Sequence, residues 1–161
     1  MEDNKISIII CHHKGRLIDK CLTSLKNIKA NKIVVTSDFS YYDSGDLGNF
    51  ILYLVGINEP TRKRNMGAFE LDYLDLNNDY ICFMDDDVET EPNCINNMVE
   101  YLDLNPNVGM VYALLYKMDN HNKIDTSGSF LTWCGFLNET YIDRIDPIPI
   151  LSGKSALCMI R

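Results

Sequence analysis

Three consecutive aspartates, Asp85, Asp86 and Asp87, stand directly after the apolar run Tyr80-Ile-Cys-Phe-Met84. The run reads as a buried parallel strand, and such strands present their functional groups at the carboxyl end. In an extended backbone alternate side chains share a face, so Asp85 and Asp87 are expected to converge while Asp86 points away. Two converging carboxylates repel each other unless a cation lies between them. Mg²⁺ and Mn²⁺ suit such a place, since both prefer oxygen ligands and are often held by one or two carboxylates plus substrate phosphates. The plainer reading is that acidic residues after a strand stabilise the positive end of the next helix dipole.

Spacing separates the other motifs that aspartates can belong to. A calcium loop starting at Asp85 would place Thr90 where glycine is needed and Asn96 where glutamate is needed. A phosphate loop ending at Gly153-Lys154-Ser155 would have Ile148 at its first glycine. Both fail. A phosphatase with an aspartate nucleophile in Asp85-x-Asp87 stays open as a competitor. Cys11-His12-His13 has no second ligand pair, which makes it a weak zinc signal. The basic run Arg62-Lys63-Arg64 fits either a solvated surface or a phosphate-binding strand-to-helix junction, where backbone amides and the helix dipole favour anions.

The elements that must position these residues follow from periodicity. Ile6–Cys11, Lys32–Thr36 and Phe50–Val55 are short apolar, β-rich runs and predict three strands ahead of the aspartate strand. Leu17, Cys21, Leu22, Leu25 and Ile28 recur at helical spacing after the first. Met66, Phe69, Tyr73, Leu74 and Leu76 form the expected stripe of a second helix, and Ile95, Met98, Val99 and Leu102 that of a third, with Pro92 in its first turn. The Ser-, Asp- and Gly-rich stretch 37–49 reads as a loop at the carboxyl end of the second strand. Val108–Tyr116 predicts a fifth strand, and Asp119–Asn122 a turn or irregular loop with a solvated His121. Beyond it the periodicity fades. Strands alternating with helices imply an α/β fold, with a mostly parallel central sheet and helices on both faces.

The whole chain narrows the classes. Its 161 residues suit one domain, and 46% apolar with 24% charged residues is ordinary for a globular protein. No apolar run is long enough to span a membrane, and the polar start Met1–Lys5 does not resemble a targeting peptide. The net charge of −8 argues against nucleic acid, which is held mainly by lysine and arginine. A phosphorylated small molecule would then need a metal or a local basic patch. The six cysteines contain no Cys-x-x-Cys pair and read as reduced core thiols of a cytoplasmic protein.

Taken in order, these segments resemble family 2 glycosyltransferases of the GT-A fold, a Rossmann-like architecture. Ile8-Ile-Ile-Cys-His-His13 with Leu17, Cys21-Leu22 and Ser24-Leu25 is similar to the family's first strand and helix. Thr61-Arg-Lys-Arg-Asn-Met-Gly67-Ala is similar to its Arg-Asn-x-Gly segment, and Tyr80 to Val88 to its metal-binding Asp-x-Asp. Ser152-Gly153 through Arg161 is similar to its glycine-to-arginine strand-end segment on the acceptor side.

The resemblance implies a nucleotide-sugar donor, with a UDP-sugar as the first candidate, and an acceptor of unknown kind. His12 and His13 would lie near the nucleoside, Asp38 at the base or ribose, and Arg64, Asn65 and Asp86 beside the nucleotide. Asp85 and Asp87 would hold Mn²⁺ or Mg²⁺ against the diphosphate. Two departures stand out. Thr36-Ser37 occupy the place of the family's acidic pair ahead of Asp38. The family's general base normally lies beyond the point at which this chain stops, so no catalytic residue is assigned and the acceptor half reads as shortened. The expectation is a metal-dependent glycosyltransferase; the alternatives are a truncated module that binds donor without transferring it and, more distantly, the phosphatase.

Overall fold

A computed structural model describes residues 5–15, 17–38, 50–56, 58–76, 78–141, 146–150 and 152–161. The expected loop after the second strand therefore lies outside the described residues from position 39 to 49. The elements run β1 (Ile6–His12), α1 (Leu17–Leu25), β2 (Asn31–Thr36), β3 (Phe50–Leu54), α2 (Pro60–Tyr73), β4 (Tyr80–Asp85) and α3 (Cys94–Leu104). They continue β5 (Met110–Tyr112), β6 (Leu115–Lys117), β7 (Asn120–Thr126), β8 (Ser129–Leu131), β9 (Leu137–Glu139) and β10 (Leu157–Ile160).

Strand β1 is the axis of the fold because its side chains are apolar on both faces, and all seven of its residues are buried. Ile8 and Ile10, with Val34, Cys82 and Met84, pack against Ile18, Cys21 and Leu25 of α1 and Ile95, Met98 and Leu102 of α3. On the opposite face Ile9, Ile33 and Val35 pack with Leu71 of α2. Each isoleucine fully withdrawn from water contributes about 1.5–3 kcal/mol. A strand with apolar residues on both faces is stable only at the centre of a three-layer arrangement, with helices on either side as expected.

The central sheet has six strands in the order β3-β2-β1-β4-β10-β5. β3, β2, β1 and β4 are parallel, and β10 runs antiparallel between β4 and β5. The chain winds from β1 outward through β2 to β3, then returns to place β4 on the other side of β1. The carboxyl ends of β1 and β4 thus flank the point at which strand order reverses, where open α/β sheets form ligand crevices. Register sharpens this, since Val35, Cys11 and Asp85 form one row across the sheet and His12 with Thr36 the next, at the sheet edge.

Three expectations are corrected. The buried face of α2 is Lys63, Gly67 and Leu71, whereas Phe69 and Tyr73 are 75% and 84% exposed. The physical reason is close approach. A Cβ on Gly67 would lie 2.5 Å from Ile9 Cγ2 and 3.1 Å from Val35 Cγ2, so the helix meets the sheet through Gly67 and Leu71, while Met66 and Leu76 of the expected stripe are only partly buried against the same core. The single strand expected over Val108–Tyr116 is two: β5 pairs with β10, and after Ala113-Leu114 the chain leaves the sheet and β6 pairs with β7. Pro92 lies in a turn ahead of α3, which starts at Cys94.

Of the turn expected over Asp119–Asn122, only Asp119 lies in the turn that joins β6 to β7; Asn120–Asn122 open β7, where His121 is exposed. Strands β8 and β9 form a hairpin with exposed Trp133 and Phe136 between them, and Ser129 at its base bridges to Ser152. Among the described residues no helix is long and apolar enough to cross a membrane.

Candidate functional site

β4 ends at Asp85, and the chain turns at once through Asp86 and Asp87, with Val88 N donating to Asp85 O at 3.4 Å. The alternation expected from continued extension therefore does not hold, and Asp86 does not point away. All three carboxylates border one cleft of about 300 Å³, lined also by Cys11, His13, Asn58, Pro60 and Lys63. This volume is at the small end of the range for ligand sites.

Each aspartate has its own surroundings. Asp85 Oδ1 accepts a hydrogen bond from Arg64 Nη2 at 2.6 Å, and the same Nη2 reaches Ser155 O at 3.2 Å. Burial raises the Asp85 carboxyl above the usual carboxylate range, outweighing the Arg64 guanidinium, which lowers it. Asp86 Oδ2 accepts the His13 backbone N–H at 2.9 Å and lies 3.9 Å from His12 Nε2. Asp86 therefore fixes the end of β1 to the turn after β4. Asp87 is exposed.

The two histidines part company. His13 is exposed and lines the cleft. His12 is fully buried, with Nδ1 2.7 Å from Thr36 Oγ1 and Nε2 3.3 Å from Gly15 O. Thr36 Oγ1 also accepts the Asp38 backbone N–H at 2.9 Å, so Thr36 links the end of β1 to the chain leaving β2. Gly15 has φ +98, a backbone region that side chains other than glycine rarely adopt, and this lets the loop fold its carbonyl back onto His12. Asp38 is half-buried at the same edge. Asn65 is exposed on α2 and is not among the residues lining the cleft.

The basic run separates into three fates. Arg62 is exposed and pairs with Glu59 one helical turn earlier, at 3.2 Å. Arg64 holds Asp85. Lys63 is only 2% exposed, and its ammonium donates to His12 O at 2.6 Å, Ser37 Oγ at 3.0 Å and Asn58 Oδ1 at 3.3 Å. Ser37 and Asn58 were not expected in the site, and Lys63 was expected either on a solvated surface or at a phosphate-binding junction, not buried. One signal was present in the sequence: Lys63, Gly67 and Leu71 recur every four residues, and a helix landing on a sheet through glycine buries whatever shares that stripe.

The glycine-to-arginine segment has two ends with different surroundings. At its start Ser155 O meets Arg64 and Ala156 O accepts from Asp85 N at 2.9 Å, so the chain entering β10 borders the site. At its far end Arg161 lies over the Tyr80 ring and donates to the carbonyls of Leu102 and Pro106 at the end of α3. That is a helix C-terminal cap, in which a cation meets orphan carbonyls.

Among the described residues no three His, Cys, Asp or Glu side chains converge as a preassembled metal cage. The donors at the cleft are nonetheless hard carboxylate oxygens, which fit a magnesium-like ion that takes its remaining ligands from water and phosphate. Comparison with curated proteins returned no match. The family model for glycosyl transferase family 2 matches residues 7–160 and so runs through β1, α2, the aspartate turn and β10. On a match of that extent, this chain belongs to glycosyl transferase family 2.

Proposed function

We propose that this protein is a metal-dependent glycosyltransferase that takes its sugar from a nucleotide-sugar, bound over the carboxyl ends of β1, β2 and β4. Membership of the family supports glycosyltransferase activity in general and implies a nucleotide-sugar donor and an acceptor. The finer reading is carried by one observation, the charge of the cleft. Among the described residues its lining contains three carboxylates, Asp85, Asp86 and Asp87, against one cation, Lys63, whose three donors are already used.

A bare diphosphate would be repelled there, so a divalent ion is the natural intermediary. Asp85 and Asp87 would hold Mn²⁺ or Mg²⁺, which supplies positive charge where the leaving diphosphate accumulates negative charge. The chain's own residues do the positioning. Asp86 fixes the His13 backbone beside the site, Arg64 keeps Asp85 in place, and Thr36 sets the direction of Asp38. Unpaired thiols at all six cysteines favour a reducing, cytoplasmic setting.

Calorimetry with UDP-, GDP- and dTDP-sugars in Mn²⁺ tests the proposal. Binding of one donor that disappears on chelation is expected; no heat with any of them would overturn it. Donor that binds without being hydrolysed or transferred would assign the protein as a capture module instead.

A further inference from the structure

We propose that Lys63 is a positioning residue, an internal brace that holds the chain at His12, Ser37 and Asn58, at the carboxyl ends of β1 and β2 and ahead of α2, in the arrangement that receives the nucleotide, and that it makes no contact with phosphate. The inference rests on the donor-site reading above. An ammonium has three N–H donors and no acceptor. Lys63 directs one to each of three segments distant in sequence: His12 O at the end of β1, Ser37 Oγ just after β2, and Asn58 Oδ1 ahead of α2. No donor is left over for a ligand. Ser37 Oγ in turn donates to Asn58 Oδ1 at 3.3 Å, which closes the network into a ring.

The acceptors are all uncharged, a carbonyl, a hydroxyl and an amide. Its direct partners are therefore dipoles that are correct in only one arrangement of the three segments, and the Asp86 carboxylate adds attraction without a hydrogen bond. A buried charge that loses an acceptor is costly, so the network resists any shift of one loop against the others. A phosphate-binding lysine needs the opposite, a mobile ammonium with donors to spare. Arginine is not an equivalent here, because a planar fork of five donors does not match three acceptors around one point in a site that is 2% exposed.

The test compares uridine, which has no phosphate, with UDP in Mn²⁺, by calorimetry on the wild type and on Lys63→Met. A brace predicts that both ligands lose affinity by the same factor, about tenfold or more for the loss of hydrogen bonds to a charged group. Ser37→Ala and Asn58→Ala, which remove one acceptor each and spare the lysine, should give a smaller loss that is again equal for both ligands. Loss confined to UDP with uridine unaffected would overturn the proposal and make Lys63 a phosphate contact. Unchanged binding of both would overturn it as well.

Amide hydrogen exchange provides an arm that needs no ligand and stands even if the donor reading fails. Faster exchange at His12–His13, at Ser37–Asp38 and around Asn58 in the variants, with β1 and β4 otherwise protected, supports the brace. Exchange that is unchanged, or raised evenly over the whole sheet, refutes it. If Lys63→Met does not fold, the two alanine variants decide by the same readouts.

Discussion

Arg64 Nη2 lies 2.6 Å from Asp85 Oδ1, so the first of the three aspartates is tied to helix α2. The pair is partly sheltered, with side-chain exposures of 18% and 34%. Removing the guanidinium in Arg64→Met leaves a half-buried carboxylate without its cation. The expected cost is about 1–2 kcal/mol, between the small value of exposed pairs and the larger value of breaking buried ones. Urea unfolding in chelator measures it. The pH dependence has a definite sign. Burial holds Asp85 above its ordinary range, so the folded state binds this proton more tightly than the unfolded chain, and that stabilisation is lost as pH rises through the folded pKa. Arg64 is a lowering influence, so its loss should extend the sensitive window to higher pH.

Asp87 offers the cleaner test of metal binding. It is exposed and borders the cleft, so Asp87→Ala should leave the thermal midpoint nearly unchanged while Mn²⁺-dependent donor binding falls by at least tenfold. Calorimetry alongside a melting curve separates the two effects. Donor affinity equal to wild type would remove Asp87 from the metal-binding set.

Gly67→Ala should destabilise the protein although alanine is the better helix former. The helix gains about 0.5–1 kcal/mol from the substitution. Against that, the new methyl group would overlap Ile9 Cγ2, on a β-branched side chain at the centre of the sheet, and overpacking of this kind costs about 1–3 kcal/mol. A net loss near 1 kcal/mol in the urea midpoint is expected; a gain would mean that α2 can lift from the sheet without penalty.

The thiols should react in two classes. Cys134 is exposed, whereas Cys11, Cys21, Cys82 and Cys158 are buried. Burial pushes the Cys11 thiol up to about 11 and Cys21 up to about 12, and it raises Cys82, Cys94 and Cys158 as well. A disulfide reagent at pH 8 should therefore modify Cys134 quickly and the buried thiols only as the protein opens, with all six reacting in denaturant. Mass mapping of the first site modified checks the assignment.

Much of the framework was legible in the residues themselves. Ile6–Cys11 and Tyr80–Met84 announce buried strands because burial on both faces demands a nearly continuous apolar run. The stripe Ile95, Met98 and Leu102 announces α3 because a helix buries one face at a fixed period. The aspartates at the end of β4 were visible for the same local reason, since a strand's carboxyl end is marked by where its apolar run stops.

What only the tertiary structure decided depends on segments that meet from far apart. Lys63 could be read as a surface cation until the close approach at Gly67 carried it inside, to a carbonyl 51 residues away. The roles of Asp85 and Asp86 were set by Arg64 and the His13 amide, which reach them from α2 and β1. Strand β10 takes its place between β4 and β5 by pairing with both, and that pairing leaves no periodic mark on its own four residues. Local sequence determines which faces must be buried; register and helix approach determine which polar groups then find each other, and the shape of this site comes from that second step.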